Sequence, residues 1–262
     1  MTDPVLLLGP GHHLYASRRI DGFSSCVHRA ELRDEHGRPF TAYVKAFPTD
    51  KRGLANEVAG WLITRALGLP CPPRAYLCLV PVRKLRQLFP ERRWPGKDDD
   101  NLPCFASEEL PNNPLALVNE QDAIVWRARI KPWPHLHAII ALCHWLHNID
   151  GNGGNLLYLG DNDFAIIDHA EILGGQDWTP KTLRHAGYLH NQAMHLAYGG
   201  LPPPQATQDI EAKSAAHLPA WQKAKEAVLE WWHELLSRKE CAAAVSFIEA
   251  RADPAWIKGK IA

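Results

Sequence analysis

The feature that most constrains this chain runs from Asp150 through Gly151-Asn152-Gly153-Gly154 to Asn155, then over residues 156–168 to Asp168. Residues 156–159 and 164–167 are apolar runs joined by Gly160-Asp161-Asn162-Asp163, a pattern that predicts a β-hairpin. If Leu159 pairs with Phe164, the register carried back along the ladder sets Asn155 opposite Asp168. Directly opposed residues stand roughly 5 Å apart with side chains on one face. Asp150 lies just upstream in a glycine-rich loop, so one corner gathers two carboxylates and a carboxamide. Such hard oxygen donors suit Mg²⁺ and phosphate chemistry. A calcium loop is excluded, because its sixth and twelfth positions need Gly and a bidentate Glu, and here they hold Asn155 and Asp161. A plain polar turn beside a structural hairpin is the alternative, since Asp, Asn and Gly dominate turns.

Upstream, residues 24–33 read as a strand, 34–37 as a turn and 40–47 as a second strand. Tyr43, Lys45 and Phe47 share one face by the two-residue period. A lysine between two aromatics is costly to bury without an anionic partner, and phosphate fits that need. An edge strand with Lys45 in solvent fits the pattern equally well. Residues 54–67 carry apolar side chains at 54, 58, 61, 62 and 66, a helical spacing ended by Gly68. An extended strand is expected from Leu69-Pro70 through 76–80. Residues 83–101 lack periodicity and, with their basic run at 83–93, read as a surface loop. A short strand at 102–107 then breaks into a proline-rich connection.

From about residue 115 the pattern is helical, with helices expected at 134–147, 182–198 and 220–236. Trp221, Val228, Trp231, Trp232 and Leu235 form a core-facing stripe on the last. The expected architecture is α+β: a β-rich part over residues 1–110 and a helical part over 111–262.

Lys+Arg and Asp+Glu both total 29, so no net charge draws the chain to nucleic acid or membrane. No secretory leader or bilayer-length apolar run is read in it, which points to the cytoplasm. The six cysteines are scattered, as expected of free thiols in a reducing compartment. Of the 14 histidines, no pair has the spacing of a zinc motif; His144 and His147 share a helix face and read as packing or capping.

Asn148-Ile149-Asp150, then Gly154-Asn155-Leu156-Leu157, then Ile167-Asp168-His169 resembles the HipA-like and phosphatidylinositol-4-kinase-like branch of the protein kinase superfamily. Asn56-Glu57, followed by Leu67-Gly68-Leu69-Pro70, matches the wording of the same family. The resemblance implies a two-lobed protein kinase-like fold with a small β-rich lobe and a larger helical lobe. It implies transfer of the γ-phosphoryl of ATP to a hydroxyl, expected on a protein Ser or Thr. Asp150 would orient the hydroxyl, Asn155 and Asp168 would bind Mg²⁺, and Lys45, paired with Glu57, would hold the phosphates. Backbone groups near Ser107, Glu108 and Leu110 would bind adenine. Ser24 and Ser25 would face the triphosphate, and both are candidates for autophosphorylation. Gly151 and Asn152 stand where many relatives carry Arg and His, so a pseudokinase or regulatory nucleotide-binding module remains an alternative. A lipid or small-molecule kinase is another, although residues 171–180 are acidic and lack Lys and Arg. A regulatory or antitoxin-like protein partner is suggested by kinship alone.

Overall fold

The structure, a computed structural model, describes residues 4–20, 25–48, 52–110 and 123–261. Its first elements are β1 (Leu6–Leu8), β2 (His13–Ile20), β3 (Cys26–Arg33), β4 (Pro39–Ala46) and α1 (Gly53–Ala66). Then come β5 (Ala75–Pro81), α2 (Val82–Leu88) and β6 (Asn101–Glu108). The second half holds α3 (Ala123–Ile130), α4 (Leu136–Leu146), β7 (Leu156–Gly160), β8 (Asp163–Ile166) and α5 (Pro180–Arg184). It continues with α6 (Gln192–Tyr198), α7 (Pro204–Lys213), α8 (His217–Leu235), α9 (Arg238–Ala252) and α10 (Pro254–Ile257). The class is α+β, as expected. The described residues fall into two compact units, one from 4–54 and 72–110 and the other from 55–71 and 123–261. Residues 55–71 therefore belong with the helices, although they were expected in the β-rich part.

The first unit is a six-stranded sheet in the order β1-β5-β6-β4-β3-β2, antiparallel except for the β1–β5 pair. Alternation works as expected on β4: Ala42, Val44 and Ala46 are fully buried in the unit's core. Lys45 lies on the opposite face, in register with Val27 and Phe105. Residues 83–101 are not wholly a loop. Val82, Leu85 and Phe89 recur at helical spacing and are buried with Trp94 in the same core, while Arg83 and Arg86 pair outward with Asp99 and Asp98. The density of arginines masked a three-point apolar stripe.

In the second unit α1 is buried on nearly every side from Ala55 to Ile63, with Val58, Ala59, Leu62 and Ile63 at 0 % exposure. Such a helix has no solvent face and its place is among other helices. The Trp232 indole N–H donates to Ala55 O at 3.0 Å, and the Trp145 indole does the same to Ile248 O at 3.0 Å. These tryptophans are core, as the stripe on α8 predicts. The strand after α1 begins only at Ala75; Pro70 O instead accepts the N–H of Ile166 at 2.8 Å. The helix expected at 182–198 is two helices. Asn191 interrupts it, because its side chain caps α6 through Met194 N and donates to Ile140 O. All six cysteines are buried and free. No helix among the described residues is long and apolar enough to cross a membrane.

The hairpin forms, with a register one residue from the expected one. Tyr158, not Leu159, pairs with Phe164, and Gly160 pairs with Asp163. Leu159 is the irregular residue and is 39 % exposed. The turn itself is Asp161-Asn162, both left-handed (φ 48° and 62°), the two-residue turn whose twist matches that of the strands. Asn155 O accordingly accepts Ile167 N–H at 2.9 Å, so Asn155 faces Ile167 and not Asp168. Asn162→Val, a β-branched residue at positive φ, should cost about 1–2 kcal/mol. Chemical denaturation checks this, with Asn162→Gly as the tolerated control.

Candidate active site

A one-residue slip in a ladder turns every side chain to the other face. Asp168 avoids that consequence because it leaves the ladder. Its φ is +63°, and its Oδ1 accepts Ala170 N–H at 3.3 Å, a local bond that suits a left-handed Asp. Asp168 is therefore placed by a bend after β8 and not by cross-strand pairing.

Asp150 is set by the loop before the hairpin. Helix α4 ends at His147, a left-handed cap (φ 52°), as expected of a capping histidine. Asn148 N–H donates back to Cys143 O, and Asn148 Oδ1 accepts Asp150 N–H at 3.0 Å. Asn152 Nδ2 donates to Asp150 Oδ1 at 2.5 Å, while Asn152 Oδ1 accepts Gly154 N–H at 2.7 Å. The carboxylate is thus held from its own loop. Gly151 backs onto α4: a Cβ there would sit 2.9 Å from Cys143 Sγ. A side chain at this position would require Cys143 to shift.

Asn155 ends a 3-10 turn (Gly153–Asn155), and its Nδ2 donates to Asp150 O. With its nitrogen committed to a carbonyl, Oδ1 is the acceptor end of that amide, as a hard cation requires. The Asp150 carboxyl is held above its ordinary value by burial and then by the charge of Asp168, while the Asn152 and Asn155 hydrogen bonds act the other way. Inside a single unit, Asp150 is thus hydrogen-bonded by Asn155 and feels the charge of Asp168. Their oxygens fit Mg²⁺ as a mixed carboxylate and carboxamide set. Among the described residues no three His, Cys, Asp or Glu side chains gather as a metal cluster.

Of the residues behind the corner, Glu57 was among those expected to act, whereas Asn56 and Gly60 were not. Asn56, 0 % exposed on α1, donates through Nδ2 to Ala170 O at 2.7 Å, Ile172 O at 2.9 Å and Gly175 O at 3.2 Å. Its Oδ1 accepts the Trp178 indole N–H at 3.0 Å. Glu57 Oε2 accepts the backbone N–H of His169 at 3.1 Å. One turn on, Gly60 lets the chain pass: a Cβ there would lie 2.2 Å from His169 Cβ. A polar Asn56 at full burial on an otherwise apolar helix was the available signal.

The remaining expected residues sit in the β unit. Lys45 is buried at 6 % exposure. Ser107 is in β6, in register with Tyr43 and Ala75. Strand β6 runs one residue further than expected, and Glu108 N–H donates to Arg74 O and Glu109 N–H to Thr41 O. The Glu108 carboxylate is bidentate with Arg74. Of the expected adenine contacts, Leu110 alone therefore lies past these committed N–H groups. Ser25 is buried and its hydroxyl has no hydrogen-bond partner among the described residues, which do not include Ser24.

No protein-family model matches the chain, and no curated protein does. Among solved structures it is similar to a Helicobacter pylori proinflammatory kinase, CtkA, at 12% identity and TM-score 0.49, over 97% of this chain and 98% of that one. It is also similar to the apo GRMZM2G135359 pseudokinase (11%, TM-score 0.35, 96% and 98% covered). A third likeness is to the MAP kinase LmaMPK10 from Leishmania major (10%, TM-score 0.33, 94% and 80% covered). These are likenesses of shape, and no activity transfers from them.

Two outcomes follow. Asn56→Ala leaves several buried partners unsatisfied and should cost roughly 2–4 kcal/mol in denaturant unfolding. A carboxyl with a raised folded-state pKa destabilises the fold once pH rises through its unfolded value of 3.8 and then its higher folded value. Asp150→Asn should therefore raise the thermal midpoint at pH 7, with the gain closing as pH falls through the carboxylate range. An unchanged or lower midpoint at pH 7 would contradict the charge coupling.

Proposed function

We propose that this chain is an ATP-dependent phosphotransferase of HipA-like type, moving the γ-phosphoryl of ATP to a hydroxyl, with Ser or Thr of a protein as acceptor. The observation that carries the reading is the bond from the Asn155 amide to the Asp150 loop, with the charge of Asp168 acting on the Asp150 carboxylate. Asp150 accepts and aligns the incoming hydroxyl proton; burial and the charge of Asp168 raise its pKa and make it a stronger base than a surface aspartate. Asn155 Oδ1 and Asp168 would hold Mg²⁺. When bound, that ion would supply positive charge to neutralise the phosphates. Lys45 is the residue for the nucleotide phosphates, and Leu110 offers the backbone contact for adenine. Asn152 holds Asp150 Oδ1 without a charge.

Ser24 and Ser25 are the candidates for autophosphorylation, and the buried Ser25 hydroxyl would first have to become exposed. A protein substrate, a regulatory partner and a cytoplasmic setting complete the reading. A second reading, nucleotide binding without transfer, is favoured by Gly151, which packs closely against Cys143 and brings no charge to the loop. A phosphoinositide acceptor is disfavoured by the acidic residues 171–180.

Incubation with γ-labelled ATP and Mg²⁺, with and without a bacterial lysate, separates these readings. Asp150→Ala should lose about 10²–10⁴-fold in transfer and retain Mg-ATP affinity. Asp168→Ala should lose transfer and weaken Mg-ATP binding as well. Equal labelling by both variants and the parent would overturn the mechanism. Binding of ATP by the parent with no label on any protein, lipid or small molecule would favour the second reading.

A further inference from the structure

The helical unit contains a cavity of about 710 Å³ walled by α5, α9, α10 and the segments that follow α5 and α10. That volume is in the range of small-ligand sites, roughly 300–1,000 Å³. Its wall carries Arg184, Arg251 and Lys260 and no carboxylate, together with the rings of Tyr188, Phe247 and Trp256.

Arg251 is the singular member. It is 6 % exposed, and its Cζ lies 4.3 Å from the Phe247 ring centroid and 4.1 Å from that of Trp256. Nη2 is 3.4 Å from His147 Nδ1, and Nη1 has no hydrogen-bond partner among the described residues. A buried guanidinium is ordinarily matched by a carboxylate, because an unpaired buried charge costs several kcal/mol. Two aromatic faces offset that cost only in part. Lys260 Nζ lies 5.1 Å from the same Trp256 ring, so two cations share one indole and repel each other. Burial holds the Arg251 guanidinium down to about 10, and His147 beside it down to about 4, so His147 stays neutral and adds no competing cation at pH 7.

We propose that this cavity binds a small organic phosphate, with its phosphate held by Arg251, Lys260 and Arg184 and an aromatic or apolar body packed against Tyr188, Phe247 and Trp256. A phosphate dianion answers three cations where one carboxylate would not, and guanidinium groups bind phosphate in bidentate fashion. Inorganic phosphate would leave most of the volume and all three rings unused. The site is independent of the phosphoryl-transfer reading.

The test is calorimetric titration of the full chain at low salt with phenyl phosphate, inorganic phosphate and benzoate. Phenyl phosphate should bind at one site, about tenfold or more tighter than either of the others. Arg184→Ala and Lys260→Ala, both at exposed positions, should each weaken it about fivefold or more, and Asp168→Ala should leave it unchanged. Arg251→Met should abolish binding in a protein that still folds; if it does not fold, the two exposed variants decide. The absence of saturable binding, or equal binding by parent and both exposed variants, overturns the site. Equal affinity for inorganic phosphate or benzoate overturns the organic phosphate as its ligand.

Discussion

The buried carboxamide of Asn56 is the constraint on which the helical unit's chemistry depends. An amide carries two N–H donors and an acceptor, so a single side chain can answer an indole N–H and, with one N–H shared, three carbonyls at once. The chain from Ala170 to Trp178 has little regular structure of its own, and its polar backbone must be satisfied by something. Asn56 supplies that partner from a helix that is apolar almost everywhere else. Glu57 and Gly60 extend the contact by holding the backbone of His169 and admitting its side chain. The position of Asp168 is thereby inherited from α1, more than a hundred residues earlier in the chain.

Asp150 is held differently, by bonds that are almost all local. Asn148, Asn152 and Asn155 each contribute an amide within five residues of it. The loop is stiff because side-chain amides replace the secondary structure it lacks. Bringing this partly buried carboxylate near Asp168 is unfavourable in the absence of a cation. Such charge crowding is common where function, and not stability, selects the arrangement.

Much of this was legible along the chain. The alternation of β4, the helical stripes of α1, α4 and α8, and the apolar-turn-apolar signature of the hairpin each depend on periods that local sterics impose. Other parts were legible and overlooked. Val82, Leu85 and Phe89 mark α2 beneath a run of arginines, and Ser237 with Glu240 is a capping box announcing α9. The hairpin register was out of reach, because either Leu159 or Tyr158 could oppose Phe164. The choice fell to the left-handed pair Asp161-Asn162, whose twist leaves Leu159 out of step.

The sequence alone determined which residue types could serve a hard cation and a phosphate, and that Asp150, Asn155 and Asp168 lie close enough in the chain to meet around a hairpin. It determined these because turn chemistry and strand period act over a few residues. Only the tertiary structure decided that Asp168 reaches the corner through a left-handed bend and that Asn56 braces it. It alone placed an unmatched arginine, Arg251, in the wall of a cavity. Those outcomes depend on which distant groups remain to be hydrogen-bonded or neutralised once the core has closed, and no local period encodes that.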